Sequence, residues 1–212
     1  MSPLNELTTA VATGKRADTA RLTQEFIDAG LNPQDIIEKG LVPGMALVGE
    51  RFKRNEIFVP EMLIAARSMK AALALLEPLL TAAGIKPKYT VVVGTVQGDL
   101  HDLGKNLISM MWRGAGFAVI DLGTNVSSAQ FLAGAQEHKA HLVGLSALLT
   151  TTMQSMRETV SQLRAANLPG IKIMVGGAPI TQVFADEIGA DGYAADAGSA
   201  VEVALNLMGE AV

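Results

Sequence analysis

The chain has 212 residues, room for one large domain or two modest ones. It carries 17 basic and 21 acidic residues, a formal net charge of −4, and 49% of it is hydrophobic. That apolar share excludes a wholly disordered chain, and the acidic balance argues against a protein that neutralises nucleic-acid phosphates. No cysteine is present, which excludes disulfides, thiolate metal sites and cysteine nucleophiles. Aromatics reach only 4%, against 21 glycines and 10 methionines. Small and flexible residues on this scale point to tight element packing, or to room for something large that is not protein. The start, Met1-Ser2-Pro3-Leu4-Asn5-Glu6, has no basic region followed by an apolar run, so no signal peptide is expected. The most apolar long stretch, Glu61 to Leu80, holds Arg67, Lys70 and Glu77 and suits a core helix better than a membrane span. A cytoplasmic location is expected, with neither membrane nor nucleic acid as partner.

Up to about Gly84 the pattern is helical. A short helix precedes Gly14. Asp18 can cap a second helix, with Leu22 and Phe26 on its apolar face and its end at Gly30. Asn32-Pro33 reads as the N-cap and first helical residue of a third. Along it Ile36, Ile37, Leu41, Met45, Val48 and Phe52 recur at steps of three and four, with a kink expected at Pro43. Pro60 opens a long fourth helix with Leu63, Ala66, Met69, Leu73 and Leu76 on one face, fading near Pro78. Four such helices make a small bundle.

From Tyr89 short apolar runs alternate with helical stretches. Tyr89–Val96, Ala118–Leu122, His141–Ala147, Ile171–Val175 and Tyr193–Ala195 read as strands. Leu103–Gly114, Ser128–His138, Thr152–Ala166, Thr181–Ile188 and Ser199–Met208 read as helices between and after them. Strands without a polar face, each followed by a helix, predict a parallel sheet covered on both sides, an α/β arrangement. The connector Ala83-Gly84-Ile85-Lys86-Pro87-Lys88 divides a helical domain, 1–84, from an α/β domain, 85–212.

Ligands of open α/β sheets bind outside the carboxyl ends of the strands, so the loops that follow the strands are where chemistry is sought. After the first comes Gly98-Asp99-Leu100-His101-Asp102-Leu103-Gly104. A neutral imidazole there can bind a metal, and Asp99, two residues earlier, can reach its other ring nitrogen as metal-bound histidines usually require. The plainer possibility is that Asp99 and Asp102 cap the following helix and His101 is only solvated. His138 and His141 fall toward the opposite edge, so a metal at His101 would take most of its ligands from a cofactor. After the third strand, Ser146-Ala147-Leu148-Leu149-Thr150-Thr151-Thr152 is rich in hydroxyls, equally compatible with a helix cap at Thr151 or Thr152. After the fourth, Gly176-Gly177 would let a ligand lie against backbone, or simply make a turn. Neither the dinucleotide nor the P-loop glycine pattern is present.

Together these loops resemble the cobalamin-binding module of corrinoid methyl-carrier proteins and of cobalamin-dependent methionine synthase. Asp99-Leu100-His101-Asp102-Leu103-Gly104 is followed by 41 residues (105–145), Ser146-Ala147-Leu148, 27 residues (149–175) and Gly176-Gly177, the order and spacing of that family's signature. The first half resembles the helical cap of the methyl-transfer branch, through Val42-Pro43-Gly44-Met45-Ala46-Leu47-Val48-Gly49-Glu50-Arg51-Phe52 and Phe58-Val59-Pro60-Glu61. The resemblance implies a four-helix-bundle cap before a Rossmann-like, doubly wound, five-stranded parallel sheet.

It further implies that His101 is the lower axial ligand of cobalt in a cobalamin or related corrinoid, replacing the cofactor's own benzimidazole. The displaced nucleotide tail would thread past Ser146, Thr150 and Gly176-Gly177. Asp99 would hold His101, and Thr152 would continue the relay where the family often has serine. Gly98, Asp102, Gly104 and Leu148 belong to the same motifs. In the cap, Met45 falls within the matching segment, Phe52 and Val59 match positions over the methyl-bearing face and Glu38 matches a polar contact to the corrin, although their helical spacing also suits plain core packing. Ala197 matches a small residue near the tail, and is equally a small loop residue.

The implied function is methyl carriage on cobalt, cycling between cob(I)alamin and methylcob(III)alamin, with no acid/base catalytic residue in the chain. A domain pair of this length leaves no room for a substrate barrel, so the resemblance implies separate partners: a donor-specific methyltransferase subunit, an acceptor methyltransferase using a pterin or a thiol, and a reductive activase. Cobalamin-dependent mutases and cobalamin-based sensors share the module and are the alternatives. The mutases lack the Met45–Pro60 segment, and the sensors usually add a DNA-binding domain, of which nothing here has the character.

Overall fold

The computed structural model describes residues 3–210, which form two compact units. One runs up to Lys88 and takes in Gly114–Gly116; the other contains the rest of the chain from Tyr89.

The first unit is helical: α1 (Pro3–Ala12), α2 (Arg16–Asp28), α3 (Pro33–Ile36), a π turn (Ile37–Leu41), α4 (Val42–Lys53) and α5 (Val59–Ala82). α3, the π turn and α4 follow one another without a break, so the segment acts as the third helix of a four-helix bundle. Asn32 caps it, its side-chain oxygen accepting the Gln34 N–H at 2.9 Å, with Pro33 next in line. The irregularity expected at Pro43 is absorbed just upstream. Pro43 offers no N–H, and the backbone widens so that the Val42 N–H reaches the Ile37 carbonyl. The Gly40 carbonyl inside that turn accepts the Thr8 hydroxyl at 2.9 Å. α2 starts at Arg16 rather than at a cap on Asp18, which lies in its first turn, where a negative charge favours the helix dipole. α5 begins with the Glu61 carboxylate accepting the Phe58 N–H at 3.0 Å and runs on through Pro78. It does not fade there because Ala74, whose carbonyl loses its partner, and Pro78 are both exposed, so water can take the freed group. Leu7, Val11, Leu22, Phe26, Ile36, Val48, Met62, Met69 and Leu76 are buried along the apolar stripes of these helices.

The second unit is a five-stranded, wholly parallel sheet of β1 (Thr90–Thr95), β2 (Ala118–Asp121), β3 (Leu142–Ser146), β4 (Lys172–Gly176) and β5 (Gly192–Ala194). Between and after the strands run α6 (Leu103–Gly114), α7 (Ser128–Glu137), α8 (Met153–Ala165), α9 (Gln182–Ile188) and α10 (Ala197–Leu207), with a 3₁₀ turn at Thr150–Thr152 leading into α8. The spatial order β2-β1-β3-β4-β5 reverses direction between β1 and β3, and a crevice at that switch point is the expected ligand position of a doubly wound sheet. One core holds Val92, Phe131, Val143, Met156, Val160, Leu163 and Ile173. On the other face the Trp112 ring lies over Gly144, where a Cβ would come within 2.7 Å of it, and its Nε1–H donates to the Ala200 carbonyl of α10 at 3.0 Å. α10 starts two residues before the sequence expectation because the Asp196 carboxylate accepts the Ser199 N–H at 2.8 Å. No helix among the described residues is long and apolar enough to cross a membrane.

Candidate functional site

The carboxyl ends of four strands line up in register: Thr95 beside Ser146, Ser146 beside Gly176, Gly176 beside Ala194. Two loops leave this row on either side of the switch point, Val96–Asp102 after β1 and Ala147–Leu149 after β3. Their junction is Asp99, whose side chain is fully buried.

Both carboxylate oxygens of Asp99 are saturated. Oδ1 accepts the His101 N–H at 3.0 Å and pairs with His101 Nδ1 at 2.8 Å. Oδ2 accepts the Leu148 N–H at 2.7 Å and the Leu149 N–H at 3.3 Å. Thr152 Oγ1 stands 2.9 Å from Oδ2 and 2.8 Å from the Leu149 carbonyl, so its single proton serves one or the other. Burial is the largest single influence on this carboxyl and pushes its pKa up. The donors from Leu148, His101 and Thr152 together outweigh it and hold Asp99 well below the usual carboxylate range. An ionised carboxylate can only accept, so His101 Nδ1 carries the hydrogen and Nε2 is the ring nitrogen left for a metal. Half of the His101 side chain, 52%, is exposed. A buried carboxylate thus orients a half-exposed imidazole, the arrangement that raises ligand basicity at metal sites.

The remaining loop residues form the surroundings. Leu100 and Leu103 are 73% and 64% exposed, and Leu148 and Leu149 are exposed on the facing loop. Leu100, Leu148 and Leu149 on the loops that meet at Asp99, and Leu103 at the start of α6, are exposed apolar side chains that an apolar ligand would cover. Beside the strand ends lies a narrow cleft of about 20 Å³ lined by Val93, Lys105, Ile108, Trp112, Ser146, Gly176 and Ala194 among others. The Lys105 ammonium in its wall is buried and neutralised by Asp121, at 2.7 and 2.6 Å.

Each residue singled out from the sequence can now be placed. Asp99, His101, Leu148 and Thr152 share one hydrogen-bond system, and Ser146 and Gly176 line the cleft. Asp102 precedes α6 and accepts the Asn106 side-chain amide at 3.0 Å, while Gly98 donates to Asn125 at 2.8 Å. Gly104 is exposed in the first turn of α6, and Thr150 is exposed in the 3₁₀ turn. Gly177 faces protein: its φ is +126° and a Cβ would lie 1.8 Å from the Ala147 carbonyl oxygen, so this glycine serves close approach to the chain after β3. Ala197 is the first residue of α10 and buried, not a loop residue. Glu38, Met45, Phe52 and Val59 all lie in the helical unit. Glu38 is exposed and accepts the Gln34 amide at 2.7 Å, Met45 is buried, and Phe52 and Val59 are half-buried.

Three residues passed over in the sequence also hold the loops. Thr95 donates from its hydroxyl to the His101 carbonyl at 2.8 Å. Asn125, with φ +55°, accepts the Gly98 N–H and donates its own N–H to the Asp99 carbonyl at 2.9 Å. Lys105 ties the first turn of α6 to the end of β2. The one available signal was Gly123-Thr124-Asn125 after β2, a turn sequence whose asparagine tolerates the left-handed region.

A B12 binding domain family matches residues 89–202, and a second family of the same description matches residues 3–77. A corrinoid protein of Desulfitobacterium hafniense (strain Y51) is 44% identical over 214 residues, covering 99% of each chain. The dimethylamine corrinoid protein of Methanosarcina barkeri is 43% identical over 207 residues, 97% of each. Among solved structures, the methanol:cobalamin methyltransferase complex MtaBC of Methanosarcina barkeri contains a chain that superposes with a TM-score of 0.85 at 29% identity, covering 99% of this chain and 81% of that one. The residues present fit such a cofactor: a half-exposed imidazole for a metal, exposed leucines for a macrocycle, and an apolar seam at the strand ends. With both of its units matched by B12-binding families and a close relative along its whole length, this chain belongs to the corrinoid proteins and binds a cobalamin-type corrinoid.

Proposed function

We propose that this chain is a methyl carrier whose corrinoid is held by His101, loaded by a donor-specific methyltransferase subunit and unloaded by an acceptor methyltransferase that uses a pterin or a thiol. When bound, the corrinoid supplies a cobalt centre that takes up and gives away a methyl group as it cycles between Co(I) and methyl-Co(III). The observation that carries the reading is the Asp99–His101 pair: a fully buried, saturated carboxylate that fixes the tautomer of a half-exposed imidazole.

The chain's own residues supply binding and orientation. His101 would hold the cobalt through Nε2, and Asp99 keeps the ring proton on Nδ1. Thr152 sits where its hydroxyl can answer a change in charge on Asp99. Ser146 and Gly176, which line the cleft, would receive the cofactor's nucleotide tail. Methyl-donor chemistry falls to separate subunits, a division supported by relatives named for methylamines and by one whose structure is a complex with a methyltransferase. A reductive activase completes the set, since Co(I) is lost by oxidation.

The test is His101→Gly in the full chain reconstituted with cobalamin. The visible spectrum and the Co(II) paramagnetic resonance are expected to lose the signature of a protein nitrogen, and added imidazole is expected to restore one. An unchanged spectrum in the variant would remove His101 from the cobalt.

A further inference from the structure

Thr95 is fully buried at the end of β1, and its hydroxyl donates to the backbone carbonyl of His101 at 2.8 Å. The residue itself is held from several sides. Its N–H donates to the Gly123 carbonyl at 3.0 Å, its carbonyl accepts the Val126 N–H at 2.9 Å, and it lies beside Ser146 in the β1–β3 ladder. The segment it reaches is a loop: between Val96 and His101 the backbone closes on itself through the Asp99 N–H to the Val96 carbonyl at 3.1 Å.

His101 is therefore fastened at two points of different kind. Asp99 orients the ring, and is itself held from the facing loop by Leu148, Leu149 and Thr152. Thr95 ties the backbone of His101 to the sheet, the stiffest element nearby. A buried hydroxyl has few partners to choose from, and this one goes to the residue that offers the free Nε2.

We propose that Thr95 is a positioning residue for the axial ligand: it sets how far the imidazole of His101 stands out from the sheet edge. The proposal rests on the reading of His101 as the cobalt ligand. Metal–ligand distances in genuine sites fall within about 0.2 Å of their ordinary values, so the reach of the ligand bears on how well the bond forms. A ligand whose backbone is pinned meets the metal at one height; one whose carbonyl is released, with only the Asp99 ties left to hold its loop, meets it over a wider range and gives way more easily. The Thr95 hydroxyl thereby adjusts the balance between ligated and unligated cobalt without touching the cofactor.

Thr95→Val keeps the shape and removes the hydroxyl, Thr95→Ser keeps the hydroxyl, and Thr95→Ala removes it without a new methyl contact. The full chain, labelled with ¹⁵N-histidine and reconstituted with cobalamin, is examined in the Co(II) state by paramagnetic resonance. Splitting that follows the label belongs to protein imidazole rather than to the cofactor's base. The ratio of His-ligated to unligated cobalt is expected to fall about tenfold in the Val or Ala variant, the low end for loss of an outer-shell partner. The serine variant is expected to stay within about twofold of wild type, and the Co(II)/Co(I) couple is expected to become easier to reduce only where the hydroxyl is gone. A variant lacking the hydroxyl that melts cooperatively, yet keeps the wild-type ratio and potential, overturns the proposal, and so does a serine variant that loses ligation as the valine does. Wild-type protein without label-dependent splitting would overturn the reading of His101 itself, and Thr95's role with it.

Discussion

Gly176 and Gly177 are neighbours that are glycine for different reasons. At Gly177 the backbone is at φ +126° and a Cβ would lie 1.8 Å from the Ala147 carbonyl oxygen, whereas a Cβ on Gly176 would meet the Ala194 carbonyl at 3.0 Å in the wall of the cleft. Gly177→Ala is expected to destabilise the apo-protein by about 3 kcal/mol or more, from strain and overpacking together, read by chemical denaturation. Gly176→Ala is expected to cost less, about 1 kcal/mol of stability, and to weaken cobalamin binding more than that of cobinamide, which has no nucleotide tail. Asp99→Asn faces an amide NH₂ with the donors that now converge on the carboxylate; denaturation should show a loss of about 1–3 kcal/mol, and the imidazole loses its fixed tautomer. At this scale the sequence was legible where partners are close along the chain. Asp99 and His101 are two residues apart and their pairing follows from spacing. Gly177 read as ligand-facing because its neighbour across the turn, Ala147, is a tertiary one. Thr95 read as one more strand residue because its partner is a backbone carbonyl, and no side chain advertises a carbonyl.

The strands and helices of the second unit stand close to the sequence expectation because apolar runs of strand length alternate with helical periodicity, and parallel pairing follows once each strand is followed by a helix. The order of the strands, which sets the β1 and β3 loops side by side, is a tertiary property that local periodicity does not carry. Periodicity also placed the third helix of the bundle but could not show the π turn, which preserves the apolar stripe while changing the hydrogen-bond partner of Val42. α6 is the element whose position bears most on function. It carries Lys105, Ile108 and Trp112 over the cleft, and the seam beneath them is about 20 Å³, where ligand pockets run to about 300–1,000 Å³. A tail that enters between α6 and the ends of β1 and β3 must part them. Hydrogen exchange in α6 is therefore expected to change on binding cobalamin and to change much less with cobinamide. Trp112, the only tryptophan in the chain, gives a second reading of the same event through its environment-sensitive emission.

At the scale of the whole molecule, every hydrogen bond described around Asp99 and His101 is made inside the second unit. Corrinoid attachment should therefore survive cutting of the connector. Gly84, Lys86, Pro87 and Lys88 are exposed between the end of α5 and the start of β1. Trypsin does not cut readily before proline, so Lys86 is protected by Pro87 and the first nick in the connector is expected after Lys88. Most other basic residues lie in helices, where the backbone must open before a protease can engage it. Limited digestion of the holo-protein is thus expected to yield a fragment beginning at Tyr89 that keeps the corrinoid and its His-ligated Co(II) signature. A fragment that loses either would show that the imidazole owes its position to groups before Tyr89, and the sufficiency of Asp99, Thr152 and Thr95 as its supports would fall.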